Sequence, residues 1–189
     1  VSVNRSTHPR FPGWEYQYCP KCGGKLELRQ VKRGEPERLV CTACLFIFFL
    51  DPKVAAGVIF KLDDKIVLAR RAIDPGYGMW VFPGGFIDPG ETVEEAAIRE
   101  AREEVNVEVE LQGLVGVYSY SGVPIVVIVH AGKLVGGELR AADECLEVRS
   151  FASDDIPWED LAFSSVRDAL RDYLRRNKRK RPPDVKDQS

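Results

Sequence analysis

Three glutamates crowd one short stretch, "REAREEVN" at residues 99–106. On a helix turning about 100° per residue, Glu100 and Glu104 lie about 40° apart, and Glu103 about 60° from Glu100. The same rotation gathers Ala97, Ile98, Ala101 and Val105 into an apolar stripe beside them. Arg99 has Glu95 and Glu103 at i,i+4 spacing, and with Arg102 it falls away from the Glu100–Glu104 edge. Within the helix, Glu100 and Glu104 have no basic partner at that spacing. Like charges so placed cost a few tenths of a kcal/mol, and burial beside the stripe raises the cost. A hard divalent cation such as Mg²⁺ reverses it, because such ions take carboxylate oxygens and often bridge them to phosphates. The competing reading is a solvated charged face. The loop "FPGGFIDPGE" before the helix favours the cation, since glycine lets backbone carbonyls and N–H groups come close to a metal or an anion.

A second set of donors has the spacing of a different metal. Cys19-x2-Cys22 and Cys41-x2-Cys44, 18 residues apart, fit a four-thiolate zinc site. Two disulfides or buried free thiols are the alternative, and reducing conditions oppose the disulfides. No βαβ pattern surrounds either pair, so a redox CxxC is disfavoured. With all four positions filled by thiolates the zinc is structural, folding a module too small for its own core. Cys145 is read as a half-buried free thiol. Lys21, Lys25, Arg29, Lys32, Arg33 and Arg38 make the module partly basic, but Glu27, Glu35 and Glu37 interleave. Nucleic-acid binding is therefore not expected, although Trp14, Tyr16 and Tyr18 are rings that can stack.

These donors need elements to place them. The 189 residues, 44% hydrophobic with a formal net charge of −2, suit one medium domain plus a small module and give no global field for nucleic acid. No run reaches the roughly 18 apolar residues of a membrane span, and the first residues lack the apolar core of a secretory signal, so a cytoplasmic protein is expected. Residues 1–50 read as a small β module with a turn at "KRGEP". Residues 51–176 read as an α/β domain. Strands are predicted at "VAAGVIF", "KIVLARR", Trp80–Phe82, Glu108–Tyr120, Ile125–Ala131 and Glu147–Ala152, with loop through Lys133–Asp143. Helices are predicted over Thr92–Val105 and from Ser164 or Ser165 to Arg176. Residues 177–189, charged and carrying Pro-Pro, read as a mobile tail.

At this point the chain resembles the Nudix hydrolases. Their signature box reads here "GFIDPGETVEEAAIREAREEVNV", with Gly85, Glu91, Arg99, Glu100, Ala101, Glu103, Glu104 and Val107 in place. Asn106 stands where the family has glycine. A helix end there needs a left-handed residue, and Asn is second only to Gly in tolerating it. The resemblance implies an α/β/α sandwich with a mixed sheet, preceded by a zinc ribbon. Among ribbon-bearing members the NADH pyrophosphatases carry a Ser-Gln-Pro-Trp-Pro-Phe-Pro motif that "GVYSYSGVPIVVIV" lacks. The chain looks closer to the group typified by the plant chloroplast FAD diphosphatase, through "DPKVAAGVI", "GMWVFPGGFIDPGET" and "ECLEVRSFASDDIPWEDLAFSSV". ADP-ribose hydrolases carry a proline a little after the box, and Pro124 lies near that distance without matching it cleanly.

The resemblance further implies Mg²⁺- or Mn²⁺-dependent hydrolysis of a nucleotide diphosphate such as FAD or ADP-ribose, releasing AMP. Glu100, Glu103 and Glu104 would hold the metal, with the Gly84 carbonyl as a further ligand. Glu103, or Glu144 or Glu147 from a later loop, would act as base. Arg99 would orient Glu91 or another box acid. Arg71 would contact phosphate, with a surface salt bridge as its plain alternative. Trp80, Tyr118 and Tyr120 are read as packing residues before base-stacking ones. A homodimer is expected. The alternatives are an NADH or NAD-capped RNA pyrophosphatase, or a non-catalytic nucleotide sensor whose ribbon binds nucleic acid.

Overall fold

The structure, a computed structural model, describes residues 16–180, with side chains to Asn177. Trp14 and residues 181–189 lie outside the described residues. The chain divides into two compact units, one running to Pro52 and including Tyr120–Pro124, the other made of Lys53–Ser119 and the chain from Ile125 onward.

In the first unit β1 (Leu26–Arg29), β2 (Arg38–Cys41) and β3 (Ile47–Phe48) form an antiparallel sheet in chain order. Its buried core is Cys19, Leu26 and Cys41, with Leu39 and Phe48 packed against them. Tyr16 sets its ring edge-on to Phe48 at 4.7 Å. So few apolar residues cannot hold a fold of this size by burial alone. The stabilisation has to come from the cysteines.

The second unit begins with β4 (Lys53–Ile59), β5 (Lys61–Leu62), β6 (Lys65–Arg71), β7 (Trp80–Val81) and β8 (Gly84–Phe86). Helix α1 (Val93–Val105), β9 (Val107–Ser119), β10 (Ile125–Gly137), β11 (Cys145–Phe151) and α2 (Ser164–Lys180) follow. One sheet, ordered β8-β4-β10-β9, is mixed: β10 runs parallel to β4 and the other pairs are antiparallel. The second sheet is antiparallel, ordered β11-β6-β5 with β7 also on β6. Ile66, Val67, Leu68 and Ala69 of β6 are fully buried, the continuous apolar run of a strand covered on both faces. Helix α1 packs on β4, β8 and β9 through Ala96, Ala97, Ala101 and Val105, all inaccessible to solvent. The result is an α/β fold of mixed sheet and helices.

Three expectations change. The segment Gly84–Phe86, read as loop, is strand β8, pairing Gly84 with Gly57 and Gly85 with Ala56. Strand β10 continues to Gly137 through the stretch read as loop, pairing with β9 by way of three irregularities in register. Bulges absorb extra residues without ending a ladder, and the glycines there give no strand signal. Helix α2 runs on to Lys180, four residues into the stretch read as a mobile tail. Its last turn, "NKRK", is rich in cations, which the helix dipole favours at a C-terminus.

Candidate active site

Helix α1 carries the acids, and both its ends are fastened. The Thr92 hydroxyl accepts the Glu95 N–H at 3.2 Å, while the Glu95 carboxylate accepts the Thr92 N–H at 2.8 Å. This reciprocal cap satisfies two backbone donors that a helix start leaves unpaired. At the other end Asn106 adopts the left-handed conformation (φ 58°, ψ 40°), as its place in the signature predicts. Its side-chain amide also donates to the Glu138 carbonyl at 2.8 Å, a bond glycine cannot make.

Arg99 organises one side of the site. Its Nε and one terminal nitrogen grip both Glu91 oxygens at 2.8 and 2.9 Å. The other terminal nitrogen reaches Glu100 at 2.7 Å and Glu103 at 2.9 Å. A further bond goes to the Phe86 carbonyl at 3.1 Å. The orienting contact to Glu91 is present. Glu100, however, is not without a basic partner: the arginine turns toward Glu91 and Phe86 and passes the carboxylate of its chain neighbour. Glu91 is held below the usual carboxylate range by this arginine first. Arg102, for its part, pairs with Glu108 at 2.7 Å, which leaves Glu95 to the cap.

Glu104 is different. It is buried, accepts the Gly84 N–H at 3.0 Å, and forms no ion pair among the described residues. Burial pushes its carboxyl up to about 7, against the pull of the Gly84 N–H, and the nearby Glu100 and Glu144 charges add to the rise while Arg71 opposes it. Glu100 is also raised, again chiefly by burial, with Arg99 opposing. Its carboxylate fills the space a side chain at position 85 would need: a Cβ on Gly85 would lie 2.4 Å from the nearer Glu100 oxygen. Gly85 is therefore a seat for an acid, which explains glycine there in steric terms.

The later candidates separate. The Ala142 N–H bonds the Glu104 carbonyl at 3.0 Å and the Ala72 N–H bonds the Glu144 carbonyl at 2.8 Å, so Glu144 is drawn to the end of α1 and its charge is felt at both Glu100 and Glu104. Glu147 instead lies opposite Arg70 on β11, 4.0 Å from its guanidinium and bonded to Arg149. Arg71 donates through Nε to the Pro75 carbonyl at 2.9 Å and lies over the Phe163 ring at 5.3 Å, which fixes where its guanidinium sits. Trp80 packs edge-on to Phe151 at 5.0 Å, and Tyr118 is buried with its hydroxyl on Asp172 at 3.1 Å; both are packing residues. Gly84 meets Glu104 through its N–H.

Two donor sets can hold metal. The sulfurs of Cys19, Cys22, Cys41 and Cys44 all lie within 4.8 Å of one another. The Cys44 N–H donates to the Cys41 sulfur at 3.4 Å and is the main reason that thiol falls to about 6, toward the thiolate a zinc ion needs. Among the described residues no trio of glutamates draws together so tightly. Glu103 is turned out to Arg99, while Glu100 and Glu104 stay buried. Two buried carboxylates side by side, Glu104 with no ion pair among the described residues, have the oxygen chemistry of a hard-cation site. The residues fit a divalent metal.

Comparison with known proteins agrees. Residues 51–173 match the NUDIX domain and residues 17–49 match the Nudix N-terminal zinc ribbon. An ADP-ribose pyrophosphatase from Methanocaldococcus jannaschii is 37% identical over 131 residues, 67% of this chain and 76% of that protein. An NAD-capped RNA hydrolase from Stutzerimonas stutzeri is 26% identical over 86% of this chain, which spans 57% of its length. The crystal structure of a NUDIX hydrolase from Nitrosomonas europaea superposes with a TM-score of 0.83 at 35% identity, over 88% of this chain and 95% of that one. With the signature helix inside the matched domain and the cysteine pairs inside the matched ribbon, this chain belongs to the Nudix hydrolase family.

Proposed function

We propose that the chain hydrolyses the diphosphate of ADP-ribose, releasing AMP and ribose 5-phosphate. The observation that carries the diphosphate reading is Glu104, a buried carboxylate beside Glu100 with no cation of its own. The ADP-ribose reading draws on the 37% identity with an enzyme of that name. In this reading Glu100, Glu104 and Glu103 hold Mg²⁺ or Mn²⁺, with the Gly84 carbonyl as a further ligand. A cation held there would neutralise diphosphate charge and make a water more acidic. Arg99 keeps Glu91 and Glu100 in register. The water oxygen bonds to a diphosphate phosphorus as the bond to the bridging oxygen breaks. Its proton passes to a carboxylate oxygen, that of Glu144 or Glu103. The pairing of Glu147 with Arg70 and Arg149 favours Glu144 over it as the base.

The test is AMP release from ADP-ribose with Mg²⁺ or Mn²⁺, run beside FAD, NADH and NAD-capped RNA. ADP-ribose should give the highest kcat/KM. No AMP from ADP-ribose with either metal, at enzyme equal to substrate, would overturn the reading. FAD is the second candidate, through the likeness of "GMWVFPGGFIDPGET" and the segments after it to the FAD diphosphatase group. NAD-capped RNA is the third, because that match covers 86% of this chain and so extends into the ribbon. A homodimer fits the exposed Leu114, Val117 and Val135 of β9 and β10; a monomer by sedimentation at micromolar concentration would remove it.

A further inference from the structure

A nucleoside diphosphate needs a surface for its base as well as for its phosphates, and two of the rings first considered for it are committed elsewhere. Trp80 and Tyr118 are buried in packing contacts. A different ring stands at the acid end of the domain. Phe163 precedes α2, and its carbonyl accepts the N–H groups of Val166 and Arg167, so its backbone starts that helix. Its ring is outside the core, with the residue 37% exposed. The Ala162 N–H donates to the Trp80 carbonyl at 3.0 Å, which fixes where the ring emerges. The Arg71 guanidinium lies over it at 5.3 Å and is itself anchored on the Pro75 carbonyl. Gly76 closes this group: a Cβ there would sit 3.2 Å from that of Ala162 and 3.5 Å from the Arg71 side chain. Arg71 also lies opposite Cys145 in the pairing of β6 with β11, and its neighbour Ala72 donates to the Glu144 carbonyl, in the loop whose Ala142 N–H bonds the Glu104 carbonyl. One arginine thus links the buried acid to an exposed aromatic face.

We propose that Phe163, backed by Arg71, is the platform on which the nucleobase stacks, and that it sets the preference for a nucleotide over a bare sugar phosphate. Aromatic rings and arginine planes both stack on bases, and a ring braced by a cation loses little freedom in doing so. The proposal rests on the nucleoside diphosphate reading above, but its test does not need turnover. Binding of AMP and of ribose 5-phosphate to the zinc-loaded 189-residue chain is measured by calorimetry for the unaltered sequence, F163L and F163W. Leucine keeps the bulk that packs before α2 and removes the π face; equal melting temperatures establish that the variants are folded. The unaltered protein and F163W should bind AMP at least about 10-fold more tightly than ribose 5-phosphate. F163L should lose that ratio while its affinity for ribose 5-phosphate stays the same. With ADP-ribose, F163L should raise KM about 10-fold and leave kcat within about 2-fold. An unchanged ratio in F163L, or no preference for AMP in the unaltered protein, overturns the platform. If the preference is present and lost in F163L but ADP-ribose is not hydrolysed, the platform stands and the substrate reading falls.

Discussion

The two metal-fitted sites are built in opposite ways. In the ribbon four sulfurs converge to within 4.8 Å, and backbone N–H groups of Gly24 and Cys44 donate to the sulfurs of Cys22 and Cys41. On α1 the acids are near one another but not gathered: Glu103 is drawn out by Arg99, and Glu104 is buried on a backbone N–H. Two of the ribbon's four donors, Cys19 and Cys41, are part of its small core, so their position is bound up with the fold. The helix's acids are tolerated by a core that other residues supply. A site that holds a fold together is complete in itself, whereas a site that works on a substrate keeps ligands with unspent charge.

The strongest way to break this contrast is to remove one donor from each. C41S should release the zinc and unfold the ribbon, seen as loss of about one equivalent of bound metal and of the ribbon's own amide signals. Full metal retention would contradict it. E104Q should do the reverse. It should lower kcat by about 10³-fold or more, a loss on the scale of metal-centred charge stabilisation, while the protein without added Mg²⁺ or Mn²⁺ melts higher than the unaltered chain above pH 7.

That second effect has a pH window. Glu104 is raised from an ordinary 4.5 to about 7 in the folded chain, so its proton is held more tightly there than in the unfolded chain. It contributes stability that is full below about pH 4.5 and is lost as pH rises through about 7. The difference is on the order of 3 kcal/mol for a shift of this size. Without divalent cation, denaturant titrations of the unaltered chain and E104Q should therefore diverge between pH 5 and 8; parallel curves would rule out the burial cost.

Smaller changes sharpen the comparison. R99K keeps the charge but loses the two-pronged grip on Glu91, and kcat/KM should fall about 10- to 100-fold with little change in melting, as for other residues that orient ligands. N106G exchanges the bond to Glu138 for a relaxed left-handed turn, so unfolding free energy should change by less than about 1 kcal/mol. A larger loss would mean that the tether, not the turn, is what holds the end of α1.

Much of this could be read from residue order because it depends on local spacing. The CxxC pairs, the α1 stripe and the left-handed residue at Asn106 all follow from contacts a few residues apart. What escaped depends on distant partners. Arg99 reaches Glu100 only because Phe86 and Glu91 lie where they do. Glu144 and Glu147 look alike in the chain, yet an irregularity between Cys145 and Glu147 in the pairing with β6 sends them to different neighbours. The extension of β10 to Gly137 needed β9 as a template. Phe163 carries no local signal, since a lone phenylalanine before a helix reads as an anchor; only the guanidinium above it distinguishes it.

The fastening of α1 has a consequence for hydrogen exchange. The Thr92–Glu95 cap closes one end, Asn106 ties the other to Glu138, and Arg99 staples the middle to Phe86. Fraying from either terminus then breaks tertiary bonds as well as helical ones. The amides of residues 97–105 should exchange with deuterium only through global opening, at the slowest rates in the chain. The acids would keep their spacing through every smaller fluctuation the domain undergoes.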